Sequence, residues 1–237
     1  MESASEKARA DYVSRTDTDA QRAALEIIRS RYPDHQILGE EDEQPVEERL
    51  AAWDGSPLWV VDPLDGTANF LHGHPQHAAS VAVVVDGGPA AGAVVCAATG
   101  ERWWAARGEG AFRGGLPIAV APPRRLRDAL VGTGFPFKLV DELPTFLGQL
   151  DRVLRNSAGI RRAGAAAMDL CYLAQGSLDA FWELILHPWD FAAGWLIVEE
   201  AGGILTKLDG SPLSLGDHPL LGASTPELAE ELRAFLG

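Results

Sequence analysis

Two carboxylates three positions apart, Asp62 and Asp65, followed at once by Gly66 and Thr67, form the stretch of this chain best suited to chemistry. They close a short apolar run, Leu58-Trp59-Val60-Val61, and Pro63 between them cannot donate to a β ladder. The pattern predicts a buried strand broken at Asp62-Pro63, with both acids at its carboxyl end. Carboxylates this close repel unless a cation lies between them, and hard oxygen donors suit magnesium or manganese better than zinc. Gly66 lets a backbone approach a ligand, the amides of a helix start favour an anion, and the Thr67 hydroxyl can hold a water. This is the layout of a metal and phosphate site. An acidic turn in which Asp65 only caps a helix is the plainer alternative.

Four more acids stand at the ends of expected elements. Asp190 precedes an almost wholly apolar segment, Phe191 to Val198, which reads as a buried helix with Asp190 as N-cap. An acid opening a buried helix needs a partner, and a metal is a good one. From the residues alone, Asp17 and Glu183 read equally well as a helix cap and a surface acid, and Glu40 reads first as part of a solvated turn. Phosphatases of the haloacid dehalogenase type carry Asp-x-Asp-Gly-Thr after a strand; the extra residue here changes which way the carboxylates point.

Taken in order, these stretches resemble one family. Trp59 to Phe70 is similar to the first motif of the inositol monophosphatase family, and Trp189-Asp190-Phe191-Ala192-Ala193-Gly194 through Glu200-Ala201-Gly202-Gly203 is similar to its second. Asp11 to Asp17 and Gly39-Glu40-Glu41 match two further patterns, so the resemblance runs from about Asp11 to the C-terminus. It implies a mixed α/β sugar-phosphatase fold of layered αβαβα type, usually a homodimer. It also implies a magnesium-dependent phosphomonoesterase acting on a small phosphorylated polyol, inositol 1-phosphate first. Histidinol phosphate, fructose 1,6-bisphosphate, phosphoadenosine phosphate and NADP are the alternatives handled by related enzymes. A metal- and phosphate-binding regulatory protein on the same scaffold is a further one.

The resemblance also assigns parts. Glu40, Asp62 and the Leu64 carbonyl would hold one Mg2+, and Asp62, Asp65 and Asp190 a second, with a third, weaker ion by Glu40 and Mn2+ as a substitute. Glu40 and Thr67 would orient the attacking water, with Asp17 polarising Thr67 and Glu41 standing behind Glu40. The amides of Gly66 and Thr67 would grip the phosphate. Gly164, Ala165, Glu183 and Asp190 would contact the substrate, Glu183 by accepting from a hydroxyl. The chain departs from the family where Ala68 replaces a frequent Thr or Lys and Ala165 a frequent Ser or Thr. Only ten residues precede Asp11, where the family has a long helix.

The elements that must position these residues are predicted as follows. Ala20, Ala23, Ala24, Ile27 and Ile28 mark a helix from Asp19 to Arg31, capped within Asp17 to Asp19. Ile37-Leu38 is a short strand, and Asp42 to Glu48 an exposed loop or helix. Ala78 to Val85 and Ala91 to Ala97 are buried strands joined through Asp86-Gly87-Gly88-Pro89. A strand at Arg102 to Ala106 precedes Gly108 to Gly115, which lacks the third glycine of a dinucleotide loop and reads as a hairpin. The composition break at Ala121-Pro122-Pro123-Arg124-Arg125 divides the chain into halves, 1–123 and 124–237. Beyond it come a strand at Leu130 to Thr133, a helix from Leu143 to Leu154, an alanine-rich helix from Gly164 to near Gly176, and a strand from Leu178 to Glu183. Ile204-Leu205 begins another strand, and Thr225 to Leu236 is an amphipathic helix.

Size and charge narrow the function classes. At 237 residues and 46% hydrophobic, the chain can bury a sizeable core. A net charge of -14 argues against nucleic acid as partner. Cys96 and Cys171 lack Cys-x-x-Cys spacing and read as buried free thiols. No apolar run is long enough for a membrane span, and the opening residues lack a secretion signal, which leads to a cytoplasmic expectation. His72, His74 and His77 fit neither one helical face nor one strand face, which argues against a metal site there.

Overall fold

The run that carries Asp62 and Asp65 is the second strand of a seven-stranded sheet. The computed structural model describes residues 4–8, 11–136 and 140–237, with the backbone alone for 4–8 and 11–14, so the side chains of the motif residues 11–14 lie outside the described set. An antiparallel pair, β1 (Ala4–Ala8) and β2 (Asp11–Ser14), leads into α1 (Arg15–Arg31). The large sheet then follows in chain order as β3 (Gln36–Gly39), β4 (Leu58–Asp65), β5 (Ala78–Val85), β6 (Gly88–Val95), β7 (Arg102–Ala106), β8 (Gly110–Arg113) and β9 (Leu116–Pro117). Its β3–β4 pair is parallel and the others antiparallel. Two short helices interrupt it, α2 (Val46–Ala52) before β4 and α3 (Thr67–Leu71) after it.

The second sheet comprises β10 (Leu130–Thr133), β11 (Gly159–Arg161), β12 (Ala180–Glu183), β13 (Ile204–Lys207) and β14 (Leu220–Ala223), ordered β11-β10-β12-β14-β13. It is also mixed, with β10 parallel to both its neighbours and β14 antiparallel to both of its own. Four helices go with it: α4 (Leu143–Asn156), α5 (Ala166–Ala174), α6 (Pro188–Glu200) and α7 (Pro226–Leu236).

Packing stacks these elements as α, β, α, β, α. Helix α1 covers β4 on one side and α6 lies on β4 to β8, which is why β4 is apolar and buried almost throughout. Helices α5 and α6 pack on each other between the two sheets, so both are apolar over most of their length. One core, including Val60, Trp103, Leu170, Phe181 and Phe191, fills the space between the sheets. A second, with Phe146, Trp182, Leu221 and Leu232, lies under α4 and α7. The mixed α/β expectation holds, and no described helix is long and apolar enough to cross a membrane. Both cysteines are buried and free.

Several boundaries differ from the sequence reading for identifiable reasons. Helix α1 starts at Arg15, not Asp19, because its first turn is polar and carries no apolar periodicity; Asp17 is in that turn and not ahead of it. Strand β4 continues through Pro63 to Asp65. Asp62 pairs with Ser80 and Asp65 with Ala78, so Pro63 and Leu64 bulge opposite Ala79 and the missing proline N–H leaves no gap in the ladder. Helix α6 starts at Pro188 with His187 as N-cap, which makes Asp190 the third residue of the helix and not its cap. Helix α5 starts at Ala166, after Gly164 and Ala165. The hairpin at Asp86-Gly87 is tighter than expected, with both residues at positive φ and Val85 paired to Gly88. Trp103 is fully buried while Trp104 is 40% exposed, as adjacent strand residues facing opposite ways require.

Candidate active site

The β4 bulge aims its acids. The Leu64 N–H donates to Asp62 Oδ1 at 2.9 Å, closing the turn around Pro63. Asp65 Oδ2 accepts from the Ala167 N–H at 2.8 Å, so it does cap a helix, but α5 of the second half of the chain and not the α3 that follows it. That bond uses one of the amides at the start of α5. Asp190 comes from the first turn of α6, where its Oδ2 accepts from the His187 N–H at 2.7 Å in a capping box. The Ser80 hydroxyl donates to the Trp189 carbonyl at 3.2 Å and ties that turn to β5.

These three carboxylates converge: one oxygen from each of Asp62, Asp65 and Asp190 lies within 4.8 Å of the others. Glu40 joins them from the end of β3, where its amide donates to the Val61 carbonyl at 3.1 Å and its carboxyl hydrogen-bonds Asp62. Asp42 braces that turn by accepting from the Gly39 N–H at 2.8 Å and pairing with Arg49, while Gln21 of α1 accepts from the Glu41 N–H at 3.0 Å.

Burial raises the proton affinity of Asp62 well above the ordinary carboxylate range, and Glu40, Asp65 and Asp190 add like-charge repulsion. Burial does the same at Asp65, with Asp190 adding to it and the Ala167 amide working against it. So many acids in one place hold their charge only with a cation among them, and an all-oxygen donor set fits a hard divalent ion. His72, His74 and His77 belong to no such group among the described residues.

Thr67 opens α3 beside these acids. Its hydroxyl lies 3.0 Å from Asp17 Oδ1 and 3.1 Å from the Leu64 carbonyl, either of which can take its hydrogen. Asp17 is fully buried. Gly66 sits at φ 85°, and a Cβ there would lie 2.8 Å from the Gln76 carbonyl, so the turn into α3 requires glycine. Asn69 fixes α3 to the other half of the chain, donating to the Ala163 carbonyl at 2.9 Å and to that of Gln76 at 2.6 Å.

A cavity of about 170 Å³ opens beside the acids, lined by Asp65, Gly164, Ala165, Glu183 and Asp190 among others. Glu183 comes from the end of β12, and its carboxyl occupies the space a side chain on Gly134 would need. Burial and the carboxylates of Asp190, Asp169 and Asp65 push Glu183 well above its usual range, with Arg162 pulling back. Arg162 lies over the Phe135 ring, 5.0 Å from its centroid. Thus Asp17, Glu40, Asp62, Leu64, Asp65, Gly66 and Thr67 gather at one end, and Gly164, Ala165, Glu183 and Asp190 reach the cavity. Sequence reading missed Asn69, Thr133, Phe135, Arg162 and Asp169. None carries a spacing signal, because each reaches the site only through tertiary packing, Asn69 by its bond to the Ala163 carbonyl and Thr133, Phe135, Arg162 and Asp169 by lining one cavity from separate segments.

Comparison with known proteins agrees. A model of the inositol monophosphatase family matches residues 2–236. Nus factor SuhB of Pseudomonas aeruginosa is 42% identical over 212 residues, 88% of this chain and 77% of that protein. Inositol-1-monophosphatase of Rhizobium meliloti is 42% identical over 212 residues, 89% of this chain and 78% of the relative. The crystal structure of the extragenic suppressor protein suhB from Bartonella henselae superposes with a TM-score of 0.90 at 36% identity, covering 99% of this chain and 88% of that one. The bulged pair of acids on β4, the acid in the first turn of α6 and the matched length lead to one conclusion: this chain belongs to the inositol monophosphatase family and is a phosphatase of that family.

Proposed function

We propose that the protein is a magnesium-dependent phosphomonoesterase that hydrolyses a small phosphorylated polyol, inositol 1-phosphate first among them. The observation that carries this reading is the convergence of Asp62, Asp65 and Asp190 beside the cavity that Glu183 lines. Glu40, Asp62, the Leu64 carbonyl, Asp65 and Asp190 would hold two or three ions. Magnesium there supplies Lewis acidity toward the phosphate and makes a water more acidic.

The rest is the work of the chain. With its hydrogen given to Asp17, the Thr67 hydroxyl has lone pairs that can accept from a water, and Glu40 accepts from the same water. The first amides of α3, at Gly66 and Thr67, point at a phosphoryl oxygen and restrain it for in-line attack. Glu183 accepts from a hydroxyl of the leaving alcohol, while Gly164 and Ala165 form the wall beside it. Residues 1–123 bring Glu40, Asp62 and Asp65, and residues 124–237 bring Glu183 and Asp190, so catalysis requires both halves docked. Buried free thiols support a reducing, cytoplasmic setting, and the family resemblance supports a homodimer.

The test is phosphate release from inositol 1-phosphate with Mg2+, run against histidinol phosphate, fructose 1,6-bisphosphate, phosphoadenosine phosphate, NADP and a chelator control. Chelator-sensitive turnover is expected, with Asp62→Asn inactive but folded by circular dichroism. Near wild-type rates from that variant would sink the assignment. The name Nus factor carried by the P. aeruginosa relative supports a second reading, a binding role on the same scaffold. A folded, Mg2+-binding protein that releases phosphate from none of these esters would put that reading first.

A further inference from the structure

Helix α5 is built mostly of buried apolar residues, Ala166, Ala167, Met168, Leu170, Cys171, Leu173 and Ala174, with Tyr172 half-buried and a single acid among them. Asp169 is only 2% exposed, and its Oδ1 has no hydrogen-bond partner among the described residues. Leaving a buried polar group unsatisfied forfeits its hydration with nothing in return, and native structures seldom do so. Its backbone N–H is already committed to the Ala165 carbonyl at 3.0 Å, as the helix requires. The carboxylates that converge on a metal site are those of Asp62, Asp65 and Asp190, and Asp169 is not among them. What Asp169 does face is the cavity, which it lines together with Glu183, Thr133 and Arg162.

We propose that Asp169 is a specificity-determining residue that hydrogen-bonds a hydroxyl of the substrate alcohol, in addition to the hydroxyl held by Glu183. This rests on the phosphatase reading and deepens it: the preferred substrate is a phosphate monoester whose alcohol carries at least two further hydroxyls. A carboxyl fits that task because a hydroxyl both donates and accepts. Burial pushes Asp169 up to about 8, against the pull of the Arg162 guanidinium, so near neutral pH it has a hydrogen to give as well as a lone pair to offer. Arg162, resting on Phe135, adds donors from another part of the wall. The alanines around Asp169 supply shape without competing polar atoms.

The experiment uses the full chain with Mg2+ and compares wild type with Asp169→Leu, of similar bulk, and Asp169→Asn, which still donates and accepts. Kinetics are measured on inositol 1-phosphate and on phenyl phosphate, whose leaving group has no further hydroxyl. In Asp169→Leu the ratio of kcat/KM for the first ester over the second falls about 10- to 100-fold, the equivalent of one lost hydrogen bond, with the change mainly in KM. Asp169→Asn restores the ratio to within about threefold. Thermal shifts give a readout without turnover: myo-inositol raises the Tm of wild type but not of Asp169→Leu, while inorganic phosphate raises both. An unchanged ratio in Asp169→Leu, or an equal myo-inositol shift in both proteins, overturns the proposal. If wild type released phosphate from neither ester, the phosphatase reading would fail, and the myo-inositol shift would still decide whether Asp169 holds a polyol.

Discussion

The residue with the most leverage on the reacting water is Thr67, because its hydroxyl has one hydrogen and two acceptors already in reach, Asp17 and the Leu64 carbonyl. Both draw the hydrogen inward, which leaves the oxygen lone pairs for a ligand. Asp17 has no solvent to fall back on, so it fixes that polarity. Thr67→Val keeps the shape and removes the acceptor; kcat should fall about 100-fold, in the range a positioned proton acceptor contributes, while Thr67→Ser stays within about threefold. Steady-state kinetics on inositol 1-phosphate decide it, and a Val variant as fast as wild type would remove Thr67 from the chemistry. Asp62, Asp65 and Thr67 were legible in the sequence because three needs, charge, turn and hydroxyl, fall within six consecutive residues. Asp169 was not, since one acid early in a helix satisfies the dipole and gives no reason to look further. Only the cavity that forms when α5 meets β12 gives it a partner to serve.

At the scale of elements, the site depends on how closely α6 lies on the large sheet. Gly92 of β6 makes this approach possible: a Cβ there would sit 2.9 Å from the Ala193 Cα, a backbone atom that cannot swing aside. Ala193 is one turn beyond Asp190, so anything that lifts α6 also moves a carboxylate. Gly92→Ala should therefore lose about 1–3 kcal/mol of stability by overpacking, or about 2–4 °C of Tm for each kcal/mol, and also need more Mg2+ for half-maximal activity. Thermal melts and a Mg2+ titration check both, and an unchanged Tm would mean that the sheet yields instead. The strands and helices themselves were well marked by apolar runs and turn glycines. Their starts were less so, because polar first turns such as Arg15 to Thr18 carry no periodicity, and because Pro63 looks like a terminator unless the bulge is known. For α6 the signal was present and outweighed: Pro188 marks a first helical position, but the apolar pattern begins only at Phe191.

For the molecule as a whole, the acid cluster is a store of repulsion that a cation releases. Asp62 and Asp65 hold protons more tightly in the folded chain than in the unfolded one, where the ordinary value is about 3.9. Between that value and the raised folded ones, the native state binds more protons than the unfolded state, so the derivative of stability with pH is negative. The metal-free protein should then lose stability as pH rises through this window, whereas below it both states are protonated and the penalty vanishes. The net charge of -14 works in the same direction. A divalent ion binds the ionised carboxylates and adds stability as its concentration exceeds its dissociation constant. The expected result is a larger Mg2+-induced rise in Tm at pH 8 than at pH 5.5, measured against a chelator blank at each pH. Asp62→Asn removes one of the mutually repelling charges, so it should raise the metal-free Tm at pH 8, shrink the Mg2+ shift and abolish turnover together. Equal chelated stability at the two pH values, or a Mg2+ shift that Asp62→Asn leaves intact, would show that the cluster is not where the ion binds.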